Sequence, residues 1–164
     1  MKRLSKFILT FVSAIALILT STSISFAKVV GDKIILGAAV SLTGKYSSNG
    51  VHTQNGYNLA VERINSMGGV KVGGKNYKFE IIYYDDESNS GRAAQLAERL
   101  IKQDGVQFML GPYSSGLTKA MAPVTEKYGI PMVEANGASR SLFTKGYKYL
   151  FAVLAPANLY LDVA

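Results

Sequence analysis

The chain predicts an α/β fold, a parallel sheet with helices on both faces, and three observations carry that expectation. Apolar runs of strand length alternate with stretches whose apolar residues recur at helical spacing. The first strand-like run, Ile34 to Val40, is continuous rather than alternating, as in a strand buried on both faces. Glycine pairs or Asp-Gly close the first two helical stretches, and strands separated by helices of that length imply βαβ units.

Ile34 to Val40 is the first strand, bounded by Asp32-Lys33 and Ser41. A polar loop from Ser41 to Asn49 follows. Tyr57, Ala60, Val61 and Ile64 then form one face of a helix, which Gly68-Gly69 ends. Beyond a glycine-rich turn at Gly73-Gly74, Tyr77 to Tyr84 is the second strand, running into Asp85-Asp86. Ala93, Leu96, Ala97, Leu100 and Ile101 mark a second helix stopped by Asp104-Gly105. Val106 to Leu110 is a third strand, and Leu117, Ala120, Met121, Val124 and Tyr128 give a third helix its apolar face. Ile130 to Val133 and Tyr149 to Leu154 are a fourth and a fifth strand. Pro156 to Leu161 reads as the start of a further helix, so the chain has the look of a fragment.

Residues 1–27 stand apart from this pattern. Lys2, Arg3 and Lys6 precede an apolar run from Phe7 to Leu19, and Ser25-Phe26-Ala27 supplies the small residues of a cleavage site. This is the three-part pattern of a secretory signal peptide, with cleavage expected after Ala27. The apolar run is shorter than the ~20 residues that a membrane span requires. Removing three cations with the signal lowers the formal charge from +7 to +4, without a basic cluster. Nucleic-acid binding, whose footprint is a clustered basic face, is therefore not expected. The chain has no Cys and a single His52, which argues against a zinc site, a Cys nucleophile, a disulfide framework or a lipid anchor at the cleavage site. The expected destination is the periplasm, and neither metal nor cofactor is expected.

Several motifs invite catalysis and fail on context. Gly69 and Gly74-Lys75 have the spacing of a phosphate-binding loop, but residue 76 is Asn and the loop follows a helix instead of a strand. Ser114, Ser115, Ser139 and Ser141 lie outside a G-x-S-x-G elbow, and His52 sits near the start of the first helix, lining or rimming the crevice. Asp85-Asp86-Glu87 has no second carboxylate cluster to close a cation site. Those acids are expected to hold neighbouring loop N–H groups and the next helix start. Two loops suit small-molecule capture better. Ser114-Ser115 opens the third helix, and Asn136-Gly137-Ala138-Ser139 follows the fourth strand. Both lie at carboxyl ends of strands, so they open on one edge of the sheet, where α/β folds hold ligands. Hydroxyls, an amide and free N–H groups there suit a carboxylate or a zwitterion. Ordinary turn chemistry also favours Ser, Asn and Gly in such loops; two on one edge tip the reading towards binding.

The ordered set from Lys33 to Tyr160 resembles the leucine/isoleucine/valine-binding family of type I periplasmic binding proteins, the solute receptors of ABC importers. The residues that carry the resemblance are Ile35-Leu36-Gly37 with Ser41-Leu42-Thr43-Gly44, then Leu59 to Asn65 with Gly68-Gly69-Val70. Tyr84-Asp85-Asp86, Gly111 with Ser114-Ser115, and Gly129-Ile130-Pro131 complete it. The resemblance implies residues 28–154 as a partial N-terminal lobe and 155–164 as the start of a second lobe. It implies an amino acid or related amide as ligand, clamped between two lobes, and ABC permease subunits as membrane partners. Carried over by position, Ser115 holds the ligand carboxylate, and Asn136, Gly137, Ala138 and Ser139 form the second contact loop. Ala138 departs from the family, whose branched-chain binders present a threonine hydroxyl there, and Glu134 is unusually acidic for that place. Tyr46, Ser48 and Asn49 fall in the loop near the ligand side chain. A sensor on the same fold is the alternative reading, and a secreted hydrolase the third.

Overall fold

The computed structural model describes residues 29–160; the expected signal peptide and residues 161–164 lie outside them. The elements in chain order are β1 (Val29–Val30), β2 (Lys33–Val40), α1 (Ser47–Ser66), β3 (Val70–Val72), β4 (Lys75–Asp85), α2 (Ser90–Lys102), β5 (Met109–Leu110), α3 (Ser115–Tyr128), β6 (Met132–Glu134) and β7 (Leu150–Ala152). Single 3-10 turns occupy Arg140–Leu142 and Ala157–Leu159. The seven strands make one sheet in the order β3-β4-β2-β5-β6-β7, with β1 paired to β2. Strands β4, β2, β5, β6 and β7 are mutually parallel, while β1 and β3 pair antiparallel. The sheet is thus mixed and mostly parallel.

Strand β2 is the centre. It pairs with β4 from Lys33↔Lys78 to Val40↔Asp85 and with β5 through Gly37↔Met109 and Ala38↔Leu110. Alternation along the strands sorts the two faces. Ile35, Ala39, Met109 and Met132 join Ala93, Leu96, Ala97 and Leu100 of α2 and Leu117, Met121 and Ala122 of α3 in the buried core. Ile34, Leu36, Phe79, Phe108, Leu110 and Val133 face the other way, towards Ala60, Val61 and Ile64 of α1. On that face an apolar cleft of about 460 Å³ stays open beside α1, and Phe108 and Val133 are exposed. At the C-terminal end of α1, Asn65 exchanges two hydrogen bonds of 2.8 Å with the backbone of Phe79 and so anchors the helix to β4.

The structure departs from the sequence expectations at element ends. Helix α1 begins at Ser47, inside the stretch expected to be loop, because its first turns face a polar crevice and carry no apolar stripe. The turn at Gly73-Gly74 joins β3 to β4 as an antiparallel hairpin, and strand β3 was not anticipated. The third strand contracts to Met109–Leu110, since the Val106 N–H bonds back to the Leu100 carbonyl of α2 at 3.0 Å instead of entering the ladder. The fifth strand contracts to Leu150–Ala152, and the stretch after Pro156 forms a 3-10 turn over its described part.

Gly50 permits the early start of α1. A Cβ there would stand 1.8 Å from the Ser41 carbonyl oxygen, so the helix rests directly on the end of β2. Gly56, two turns on, has nothing within 4 Å of the corresponding position. The two glycines therefore predict opposite signs. Gly56→Ala should stabilise the full chain by up to about 1 kcal/mol, the ordinary helix preference of Ala over Gly. Gly50→Ala should instead cost roughly 1–3 kcal/mol through overpacking. Urea unfolding midpoints that move in the same direction for both variants would refute the contact.

Candidate functional site

The carboxyl ends of β2, β4, β5 and β6 open on one edge, and their loops are tied together by acids at the strand ends. Asp85 Oδ1 accepts from the N–H groups of Leu42 (2.9 Å), Thr43 (3.2 Å) and Glu87 (2.8 Å), and Oδ2 accepts from the Thr43 hydroxyl at 2.7 Å. The fully buried Asp86 accepts from the Ser41 hydroxyl at 2.6 Å and the Ser88 N–H at 2.8 Å. The acidic strand end thus holds loop N–H groups as expected, and the start of α2 is capped instead by Asn89, which accepts from the Arg92 N–H at 3.0 Å. Burial pushes both aspartates up, but at Asp85 the Thr43 hydroxyl and three backbone N–H groups outweigh it and hold the carboxyl below its usual range. Asp86 has fewer donors, and burial keeps it raised.

Ser114 and Ser115 divide the work at the start of α3. Ser114 has φ +82° and caps the helix, its hydroxyl accepting from the Leu117 N–H at 3.3 Å. Ser115 Oγ accepts from the Ser139 N–H at 3.0 Å, so the two expected contact loops touch across the edge. That acceptor role leaves the Ser115 hydroxyl proton to be donated, beside the N-terminus of a 14-residue helix, where negative charge is favoured. Ser139 also shares a hydrogen bond of 2.8 Å with the Ser141 hydroxyl, and the Ala138 carbonyl accepts from the Ala157 N–H at 2.8 Å.

The loop after β6 is organised from below. Glu134 is fully buried, and its Oε1 accepts from the backbone N–H groups of both Asn136 and Gly137. Its Oε2 has no hydrogen-bond partner among the described residues. Burial pushes this carboxyl up against the opposing effect of the two N–H donors. Above the loop lies a pocket of about 380 Å³ lined by Asn49, His52, Thr53, Gly56 and Tyr57 of α1 with Tyr113, Ala135 and Asn136.

The structure therefore gathers Asn49 and Asn136 on one pocket and joins Ser115 to Ser139 beside it. Tyr46 stands edge-on to Tyr113, ring centroids 5.6 Å apart, and its N–H donates to Ser88 Oγ at 3.0 Å. Gly137 and Ala138 contribute backbone rather than pocket wall. His52 lines the pocket as its place near the helix start suggested. Sequence reasoning missed Tyr57 and Tyr113. Tyr57 was hidden because it continues the apolar periodicity of α1; its hydroxyl donates to the Gly111 carbonyl at 2.7 Å, and burial, with Glu134 nearby, pushes it well up. Among the described residues, no Lys or Arg lines the pocket.

Comparison with known proteins gives this edge a context. The family model for periplasmic binding proteins matches residues 33–160. The chain belongs to that family. The leucine-, isoleucine-, valine-, threonine-, and alanine-binding protein of Pseudomonas aeruginosa is 28% identical over 133 residues, covering 81% of this chain and 34% of the relative. Leu/Ile/Val-binding protein homolog 8 of Brucella suis is 30% identical over 130 residues, 79% of this chain and 31% of the relative. Among solved structures, the branched-chain amino acid transporter substrate binding protein LivJ from Streptococcus pneumoniae, in complex with isoleucine, matches with a TM-score of 0.68 and 32% identity. That match covers 75% of this chain and 34% of LivJ. This periplasmic binding protein chain thus spans about a third of the length of these relatives.

The Asp85 knot makes a pH prediction. Its carboxyl is depressed in the folded chain, so its contribution is present above the unfolded carboxylate value and is lost as pH falls through the folded one. Asp85→Ala should cost about 1–2 kcal/mol near pH 7, towards the low end for charge-assisted bonds because the group is partly open to solvent. Urea titrations from pH 7 down to pH 3 should show the difference from wild type shrinking. A difference that stays constant would mean that the ionised carboxylate is not what ties the loops.

Proposed function

We propose that this protein is the solute-binding receptor of an ABC importer, taking an amino acid or a related small amide to permease subunits in the membrane. In this reading, residues 1–27 export it to the periplasm, 28–154 are a partial N-terminal lobe, and 155–164 lead into a second lobe. The observation that carries the reading is the junction of Ser115 with Ser139. A hydroxyl with a proton to donate stands at a helix N-terminus, on the edge where the second contact loop arrives. A carboxylate held there gains a charge-assisted hydrogen bond and the favourable end of the helix dipole. Asn49, His52, Tyr57, Tyr113 and Asn136 then offer the rest of the ligand a polar, aromatic wall. The names of the relatives support an amino acid as the ligand class, and LivJ was solved with isoleucine. Closure of a second lobe over this edge would complete the contacts, a hinge motion of the kind such receptors use.

The reading is tested by calorimetry on a polypeptide extended to the length of the relatives, against leucine, isoleucine, valine, threonine, alanine, small amides and urea. At least one of them should bind. For that ligand, Ser115→Ala should weaken binding by on the order of 1.5–3 kcal/mol, the value of a hydrogen bond to a charged group. Unchanged affinity in that variant removes Ser115 from the site.

A further inference from the structure

Glu134 is a buried acid at the floor of the candidate site that the proposed capture of a carboxylate does not use. Three observations show that the loop is built around it. Its Oε1 accepts from the N–H groups of both Asn136 and Gly137, and its Oε2 has no hydrogen-bond partner among the described residues. A Cβ on Gly137 would lie 2.6 Å from Glu134 Oε2, and one on Gly111 would lie 3.0 Å from Glu134 Cα, so residues without side chains flank the acid on both sides. The titratable group facing it from α1 is Tyr57, whose hydroxyl is engaged with the Gly111 carbonyl.

We infer that Glu134 is a specificity-determining residue: its carboxyl group occupies the N–H pair of the β6 loop that would otherwise receive a ligand carboxylate, and so turns that loop towards the ligand's ammonium or amide part. This rests on the receptor reading given above. Paired N–H groups of a loop are an anion site. Here an internal acid fills it, and an N–H group already engaged by that acid is not free for a second anion. A ligand carboxylate placed there would also approach a buried acid, with no Lys or Arg among the described residues of the pocket wall to offset the two. The carboxylate is left to Ser115 and the start of α3, and the two ends of a zwitterion are sorted before any second lobe closes.

The first test needs no ligand, so its failure is distinct from failure of the receptor reading. In ¹H–¹⁵N spectra of the full chain, the amide resonances of Asn136 and Gly137 should move together through one carboxyl titration, and Glu134→Gln should abolish that movement. Amides that titrate independently, or that still titrate in the variant, overturn the inference. The second test uses acetate, which matches the atoms removed in Glu134→Ala. Acetate should raise the unfolding midpoint of the variant saturably and leave wild type unchanged. Equal effects on both proteins, or none on the variant, overturn it as well. If Glu134→Ala does not fold, the wild-type titration decides alone.

Discussion

The double burial of β2 is the constraint on which the remaining structure depends. This strand is hydrogen-bonded on both sides, to β4 and β5, and covered on both faces, by α1 and by α2 with α3. A strand in that position has no polar face, which is why Leu36 through Ser41 is almost entirely sequestered and why small residues, Gly37-Ala38-Ala39, fill its middle. Its carboxyl end then becomes the reference point for the site. The Ser41 carbonyl supports Gly50 and hence α1, and the Ser41 hydroxyl binds Asp86 and hence the turn before α2. Displacing the end of β2 would move Tyr46 and the first turn of α1, which carries Asn49, together with the acidic turn.

The carboxyl edge of a parallel sheet presents many backbone N–H groups, and every one that is shut away from water needs an acceptor. Much of that demand is met from within. Asp85 takes three such groups, Asp86 takes one, and Glu134 takes two. The three acids differ in their response to burial because their donor counts and solvent access differ. Asp85 has four donors and is partly exposed, whereas Asp86 and Glu134 are buried, with one oxygen each lacking a hydrogen-bond partner among the described residues. Raised and lowered carboxyls therefore pull stability in opposite directions with pH: what Asp85 adds is lost on acidification, while what Asp86 and Glu134 add is present in acid and lost as pH rises through their folded values. The start of α3 is left as the place on this edge where a hydroxyl and a helix terminus face the crevice together.

Legibility in the sequence followed the reach of the interactions. The apolar face of helix α2 was readable because Ala93, Leu96, Ala97 and Leu100 form a narrow buried stripe, whereas its cap at Asn89 was not, the preceding acids being expected in that place. The early turns of α1 were not readable, because Asn49, His52 and Thr53 line a polar pocket and the helix there is held by contact with Ser41, which lies outside its own periodicity. The β3–β4 hairpin was concealed by glycines that serve equally well in a turn between other elements. Of the site, the two loops and their common edge were visible, since turn residues after apolar strands mark them. Tyr57 and Tyr113 were not, because nothing local separates an aromatic that packs in a core from one that lines a crevice.

The sequence by itself determined the alternation of strands and helices, the family to which the chain belongs, and the position of the serine and Asn-Gly loops at carboxyl ends of strands. These are consequences of periodicity and of residue-by-residue backbone preference, which act over a few positions. Only the tertiary structure decided what those loops have left to offer. Whether the N–H groups of Asn136 and Gly137 are free depends on a glutamate buried beneath them, and whether Ser115 can donate depends on Ser139, 24 residues away. A hydrogen bond satisfied through space leaves no mark in local patterning, so the chemistry of the edge appears only once the sheet has brought its loops together.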